Sequence, residues 1–374
     1  MKEQNLSLVA EAFPILQKLH TSAVLAEPLS RKSMLGLAKF VEYFPVYLKD
    51  LEGVELVSTY IDYATKYSNA ESVAFRLVST LLSSNSNFNR DNYKMWILVL
   101  LNIMKSKAKS DIIIQSMELM YNIYGRIPLL HSQFNLSSTS SVSSDVTSTN
   151  DITSYELTMW RELWYPILDS FVTVCKDNRA DIRNGSLTYL QKCLLSPQLT
   201  NISANIWYLC FEEILFPLVK NLIDLKLSSN PPNSPSKLDS NLLEETRLRA
   251  SALLSKIFLQ YLPKIIQLPQ FNTLWIQILR FVEMYMKADD NDLLVRIYKK
   301  LVFLITLLKG EAVRESLKNM LLVMSASGIL KPGNMSSGED LWALSWVTID
   351  SFCPNLKYEF NDVLNPGSSS ENKV

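Results

Sequence analysis

The sequence predicts an all-α chain built as an α-solenoid of antiparallel helix pairs, and three observations carry that reading. Apolar residues recur at i, i+3, i+4 and i+7 through most of the 374 residues, the spacing that lays a stripe along one helical face. Only 9 glycines are present, few for a fold made of many tight turns. An aromatic-Pro-aliphatic signature also returns inside otherwise helical pattern, at Phe13-Pro14-Ile15, Phe44-Pro45-Val46, Tyr165-Pro166-Ile167 and Phe216-Pro217-Leu218.

The periodicity predicts helices over 6–20, 30–43, 48–66, 70–83, 90–105, 110–126, 154–176, 181–195, 204–226, 241–262, 270–287, 291–309, 311–326 and 339–352. The widest stripe is Trp207, Cys210, Phe211, Ile214, Leu215, Leu218 and Leu222. A proline within such a helix removes one backbone hydrogen bond and bends the axis, which suits a curved first helix wrapped around its partner. The second helix of each pair repeats as well. Arg183 leads to Ser186, Leu190 and Leu194, and Arg247 leads to Ala250, Leu254 and Phe258, in the order arginine, small, leucine, apolar. A small residue there admits close helix approach, and Asp181 with Arg183, and Glu245 with Arg247, are read as a structural charge ladder along stacked loops. Together these features give a HEAT/armadillo-like array with degenerate repeats.

Composition divides the array. Residues 1–136 form an N-terminal helical repeat block, and the polar run 137–154, SSTSSVSSDVTSTNDITS, is expected to be a mobile linker because it has nothing to bury. Residues 155–332 form the HEAT-like block, 333–361 a loop and final helix, and 362–374 a disordered tail. Within the second block, SSNPPNSPSK from Ser228 to Lys237 blocks helix continuation with its prolines.

Charge and residue inventory exclude several classes of function. Lys plus Arg equals Asp plus Glu, at 37 each, so no global field attracts nucleic acid, and no nucleic-acid partner is expected. Cys175, Cys193, Cys210 and Cys353 lie far apart without ligand spacing and read as reduced thiols, with Cys193 and Cys210 in the core. The two histidines, His20 and His131, have no partner at metal-ligand spacing and are expected to be solvated. Phosphate-cradling glycine loops, nucleophile elbows and kinase signatures are missing, so no catalytic residue, cofactor site or metal site is assigned. The adjacent carboxylates Glu212-Glu213, Glu244-Glu245 and Asp289-Asp290 read as solvated faces, and Lys105, Lys107 and Lys109 as a basic close to one helix, with contact to an anionic membrane as the alternative. Most of Trp160, Trp164, Trp207, Trp275, Trp342 and Trp346 are expected to fill gaps between helices. The opening MKEQNLSLVAEAF lacks a signal-peptide pattern, and apolar runs such as Leu301 to Ile305 fall far short of the ~20 residues a bilayer span requires. The mean hydropathy of +0.06 is nonetheless high for a free-standing soluble chain.

Six stretches in order, WRELWYPILDSF, DIRNGSLTYLQKCLL, FEEILFPLVKNLI, EETRLRASALLSKIFLQYL, ESLKNMLLVMSASGIL and LWALSWVTIDSFCPNL, resemble the C-terminal helical domains of the GBF/Gea branch of large Arf guanine-nucleotide exchange factors. The resemblance covers about Tyr155 to Tyr358 and is much weaker before Ser137. It implies a non-catalytic regulatory and membrane-targeting scaffold region acting in ER-Golgi vesicle transport, peripherally associated with Golgi membranes. The implied partners are the catalytic region of an Arf exchange factor, Arf- or Rab-family GTPases, the Golgi membrane surface and a second copy in a homodimer. The family's exchange domain, with its invasive glutamate, has no counterpart among the residues quoted. Without the resemblance, the array alone is also compatible with a free-standing HEAT-repeat adaptor between two proteins unrelated to Arf.

Overall fold

The computed structural model describes residues 36, 71–83, 88, 90–130, 154–228, 240–287, 301–332 and 340–364. The helices expected over 6–20, 30–43 (residue 36 apart) and 48–66, the first ten residues of the helix expected over 291–309, both histidines, nearly all of the 137–154 linker and of the 228–237 interruption, Asp289-Asp290, residues 365–374 of the expected tail and the first two proline signatures lie outside the described residues. Regular structure in the described residues is helical throughout, with no strand. The chain forms two compact units, Met1–Cys193 and Leu194–Val374.

In the first unit, α1 (Glu71–Ser83), α2 (Arg90–Lys105) and α3 (Ser110–Gly125) precede a long interrupted helix. That helix comprises α4 (Ser154–Met159), a π turn (Trp160–Trp164) and α5 (Tyr165–Val174), and α6 (Ala180–Leu194) follows it. Helix α2 packs on α3 and α5, while α3 also meets α1 and α5. The close approach of α6 to α3 occurs at Gly185, where a Cβ would lie 3.4 Å from Met117 Sδ. Ser186, the small residue of the repeat, is buried and donates its hydroxyl to the Phe171 carbonyl at 2.7 Å.

The second unit repeats the plan. Helix α7 (Ala204–Cys210), a π turn (Phe211–Leu215) and α8 (Phe216–Ser228) lead to α9 (Ser240–Ile265), α10 (Phe271–Lys287), α11 (Leu301–Ala326), α12 (Leu341–Asp350) and α13 (Leu356–Leu364). Helices α8, α10 and α12 pack in one series, and α9, α11 and α13 in a second. The two series touch at α8 with α9, α10 with α11, and α12 with α13. This is the two-layer order of a stacked repeat, in which each helix pair buries the apolar stripe of the next.

The stripe from Trp207 to Leu222 is buried along its whole length, as are Arg183, Ser186, Leu190 and Leu194 and their counterparts Arg247, Ala250, Leu254 and Phe258. Trp160, Trp207, Trp275 and Trp346 are fully enclosed, and Cys193 and Cys210 are core residues. Trp207 stacks on Tyr261 at 3.6 Å between centroids, and Trp275 donates its indole N–H to Ser345 Oγ at 2.8 Å.

Three departures from the expected pattern have local causes. Among the described residues, both helices that carry the proline signature have a π turn just before it. The Tyr165 N–H reaches back five residues to the Trp160 carbonyl, and the Phe216 N–H to the Phe211 carbonyl. Widening the turn relieves the clash a proline ring makes with the carbonyl four residues earlier, so the proline is accommodated by a bulge rather than by bending alone. The described part of the segment expected over 291–309, from Leu301 onward, and the segment expected over 311–326 form one helix that runs through Gly310; a helical glycine costs only about 1 kcal/mol, which packing elsewhere along the helix readily offsets. Finally, α13 was not expected as a separate helix. Its stripe of Leu356 and Phe360 is too short to register as a period, yet both side chains are buried.

Candidate interaction surface

The most conspicuous polar residues are two arginines enclosed to 1% exposure. Arg183 donates from Nη1 to the carbonyls of Asp177 and Asn178, at 3.0 and 2.8 Å, and so ties the start of α6 to the end of α5. Arg247 pairs with Glu244 at 2.5 Å, donates to the Tyr285 carbonyl at 3.2 Å and lies 4.4 Å over the Tyr285 ring. Glu244 also accepts from Lys226 at 3.2 Å and from the Tyr285 hydroxyl at 2.5 Å. Burial pushes the Glu244 carboxyl upward, but Arg247 and Lys226 outweigh it and hold the group below its ordinary value.

The arginines thus have the packing role expected of them, with different partners. Asp181 and Glu245 are exposed, and Glu244, expected to be solvated, is the buried carboxylate. Helical geometry explains the exchange. A residue three before Arg247 shares its face, whereas one two before it, like Glu245 or the Asp181 that precedes Arg183, points elsewhere.

A second constellation orders the loop between α2 and α3. Arg179 grips Asp177 through Nε and Nη2 at 2.9 and 2.8 Å. The same guanidinium donates to the carbonyls of Ala108 and Ser106, at 2.8 and 3.4 Å. Within the loop, Ser106 Oγ donates to the Ile103 carbonyl at 2.7 Å and accepts from the Ala108 N–H at 3.1 Å. Ala108 is buried, and Lys105, Lys107 and Lys109 are exposed. Lys105 alone closes a helix; Lys107 is in the loop and Lys109 caps α3 in extended conformation. Burial acts to raise the Asp177 carboxyl, but the hydrogen bonds and charge of Arg179, with the charge of Arg183, hold it below its usual range.

All four cysteines are buried, and burial pushes the Cys193 and Cys210 thiols well up, away from the thiolate form that nucleophilic or metal chemistry needs. Among the described residues no group of three or more His, Cys, Asp or Glu side chains is placed to hold a metal. No described helix is long and apolar enough to cross a membrane. Apolar side chains do reach solvent on the last helix pair, where Val347 and Tyr358 are each 73% exposed and Leu344 is 37% exposed.

Two-layer helix packing, recurring proline-bearing first helices and buried arginines on second helices define an α-helical repeat protein. The chain belongs to the family described as the GBF1-like tetratrico peptide repeat region, whose model matches residues 164–356. Over 198 residues, 53% of this chain, it is 34% identical to the ARF guanine-nucleotide exchange factor GNOM of Arabidopsis thaliana. Over the same length it is 30% identical both to the ARF guanine-nucleotide exchange factor GNL1 of that plant and to the Golgi-specific brefeldin A-resistance guanine nucleotide exchange factor 1 homolog of Caenorhabditis elegans. The matched stretch spans only 12%, 13% and 9% of those three proteins. No solved structure matches the chain.

Proposed function

We propose that this chain is a non-catalytic regulatory and membrane-targeting scaffold region of an Arf guanine-nucleotide exchange factor that acts in ER-Golgi transport. The family match over residues 164–356 carries the reading, because the model matched is that of a repeat region. The relatives' names supply exchange on ARF and, for the nematode protein, a Golgi-specific role. The buried arginine networks support a scaffold, since they fix loop geometry while leaving loop and end surfaces open.

On this reading the chain performs no exchange itself. It holds the catalytic region of an Arf exchange factor at Golgi membranes and offers surfaces to Arf- or Rab-family GTPases. The test is a pair of binding measurements on the purified chain, flotation with Golgi-like liposomes and pull-down of an exchange factor's catalytic region. Binding to at least one is expected. Failure of both, with a stable complex formed instead with proteins outside the secretory route, would favour an adaptor unrelated to Arf.

A further inference from the structure

We infer that the loop between α2 and α3 is a membrane-contact site that presents Lys105, Lys107 and Lys109 to the anionic headgroups of a lipid leaflet; this rests on the membrane-targeting reading above and assigns it to named residues. Three features of the loop point there. Its three lysines alternate with the half-buried Ser106 and the buried Ala108, so the inward residues anchor the loop and the charged ones face solvent. The loop is also held in shape: the Ser106 hydroxyl bridges Ile103 and Ala108, and Arg179 fastens the carbonyls of Ser106 and Ala108 from the neighbouring α5–α6 loop. The backbone that carries the lysines therefore needs little ordering on contact, which lowers that part of the entropic cost of using them.

The third feature is charge left over after local pairing. Three carboxylates lie on the adjoining segments, and two of them, Asp177 and Asp181, act on Arg179. Asp177 is gripped by Arg179, while Asp111 and Asp181 sit in the first turns of α3 and α6, where helix N-termini favour negative charge. Among the described residues, no ion pair is formed by Lys105, Lys107 or Lys109. Lys176, in the loop that Arg179 anchors, is also exposed, but its charge acts on Asp169.

The chemistry favours a leaflet over a peptide. Lysine ammonium groups are strongly hydrated point charges suited to diffuse phosphate-rich surfaces, whereas acidic peptide motifs are typically read by arginine forks. Each lysine near an anionic leaflet is worth about a fivefold gain in partitioning at physiological salt, so three acting together set an upper bound of about a hundredfold.

The experiment is sedimentation of the full chain with phosphatidylcholine vesicles, with or without about 30% phosphatidylserine, at low and high salt. Three proteins are compared: the unaltered chain, Lys105→Glu/Lys107→Glu/Lys109→Glu, and Lys220→Glu/Lys256→Glu/Lys331→Glu. The last makes the same change of net charge at exposed lysines elsewhere, and circular dichroism confirms that both variants fold. The unaltered chain is expected to prefer anionic vesicles and to lose that preference in high salt. The loop variant should bind at least about tenfold more weakly, and the control within about threefold of the unaltered chain. Equal weakening in both variants would overturn the inference by showing that net charge alone is at work. Undiminished binding by the loop variant would overturn it while leaving membrane targeting intact. Absence of binding by the unaltered chain, with the catalytic region still captured, would remove the lipid site but keep the scaffold. Charge-dependent capture of an acidic protein by the loop, with vesicle binding unchanged, would reassign it to a protein partner.

Discussion

At the scale of single residues, the structure turns on Glu244. Its carboxylate is 5% exposed and compensated by Arg247, Lys226 and the Tyr285 hydroxyl, so removing its charge strands a buried guanidinium. Glu244→Gln is expected to cost about 3 kcal/mol of unfolding free energy, read from urea denaturation. The network also makes stability depend on pH. Because the carboxyl is held below its ordinary value of 4.5, its contribution is complete above that pH and is lost as pH falls through the lowered folded value. The unaltered chain should therefore lose stability below about pH 4.5 more steeply than Glu244→Gln, measured by denaturation at a series of pH values. Gly328 is the other decisive residue. It ends α11 at φ 74, with the Ile329 N–H reaching back to the Met324 carbonyl, a C-cap that favours glycine. Gly328→Ala should lower stability by about 1 kcal/mol by the same measurement.

At the scale of elements, the π turns explain why prolines stand inside long helices. Since the wider turn already removes the steric conflict, Pro217→Ala should change stability by less than about 1 kcal/mol, far below the ~3 kcal/mol that an unrelieved helical proline costs. By contrast, Ala250 is a close-packing position on α9, and Ala250→Leu should destabilise by about 1–3 kcal/mol through overpacking. Most of this level was legible in the sequence. Amphipathic periodicity located α1 to α10 and α12 to within a few residues, because one buried face per helix imposes the 3.6-residue repeat. The arginine-small-leucine-apolar spacing likewise marked buried positions in α6 and α9. The π turns were not legible, since a single inserted residue leaves the stripe nearly intact. Their one trace is an aromatic residue at Trp160 and Phe211, five positions before each aromatic that precedes a proline. Gly310 misled for the opposite reason: a strong punctuator in sequence is tolerated once helix packing supplies the energy.

At the scale of the whole molecule, periodicity specifies packing well and partners poorly. A repeat array buries its signature residues, so the pattern that reveals the fold lies mostly out of reach of a binding partner. Surfaces open to a partner are set instead by the three-dimensional arrangement. Arg179 joins two loops far apart in sequence, and α12 exposes Val347 although its composition is apolar nearly all round. Resemblance in six ordered segments supplied the family, which the match over residues 164–356 bears out. The proposed role divides labour within an exchange factor, with chemistry in one region and placement in this one. The measurement that tests this most directly is release of fluorescent GDP from Arf on Golgi-like liposomes, with this chain alone, with an exchange factor's catalytic region alone, and with both. The account predicts that the chain alone leaves release at its spontaneous rate and that it raises the rate of the catalytic region on liposomes. Acceleration by the chain alone, or no effect of the chain on the catalytic region, would contradict it.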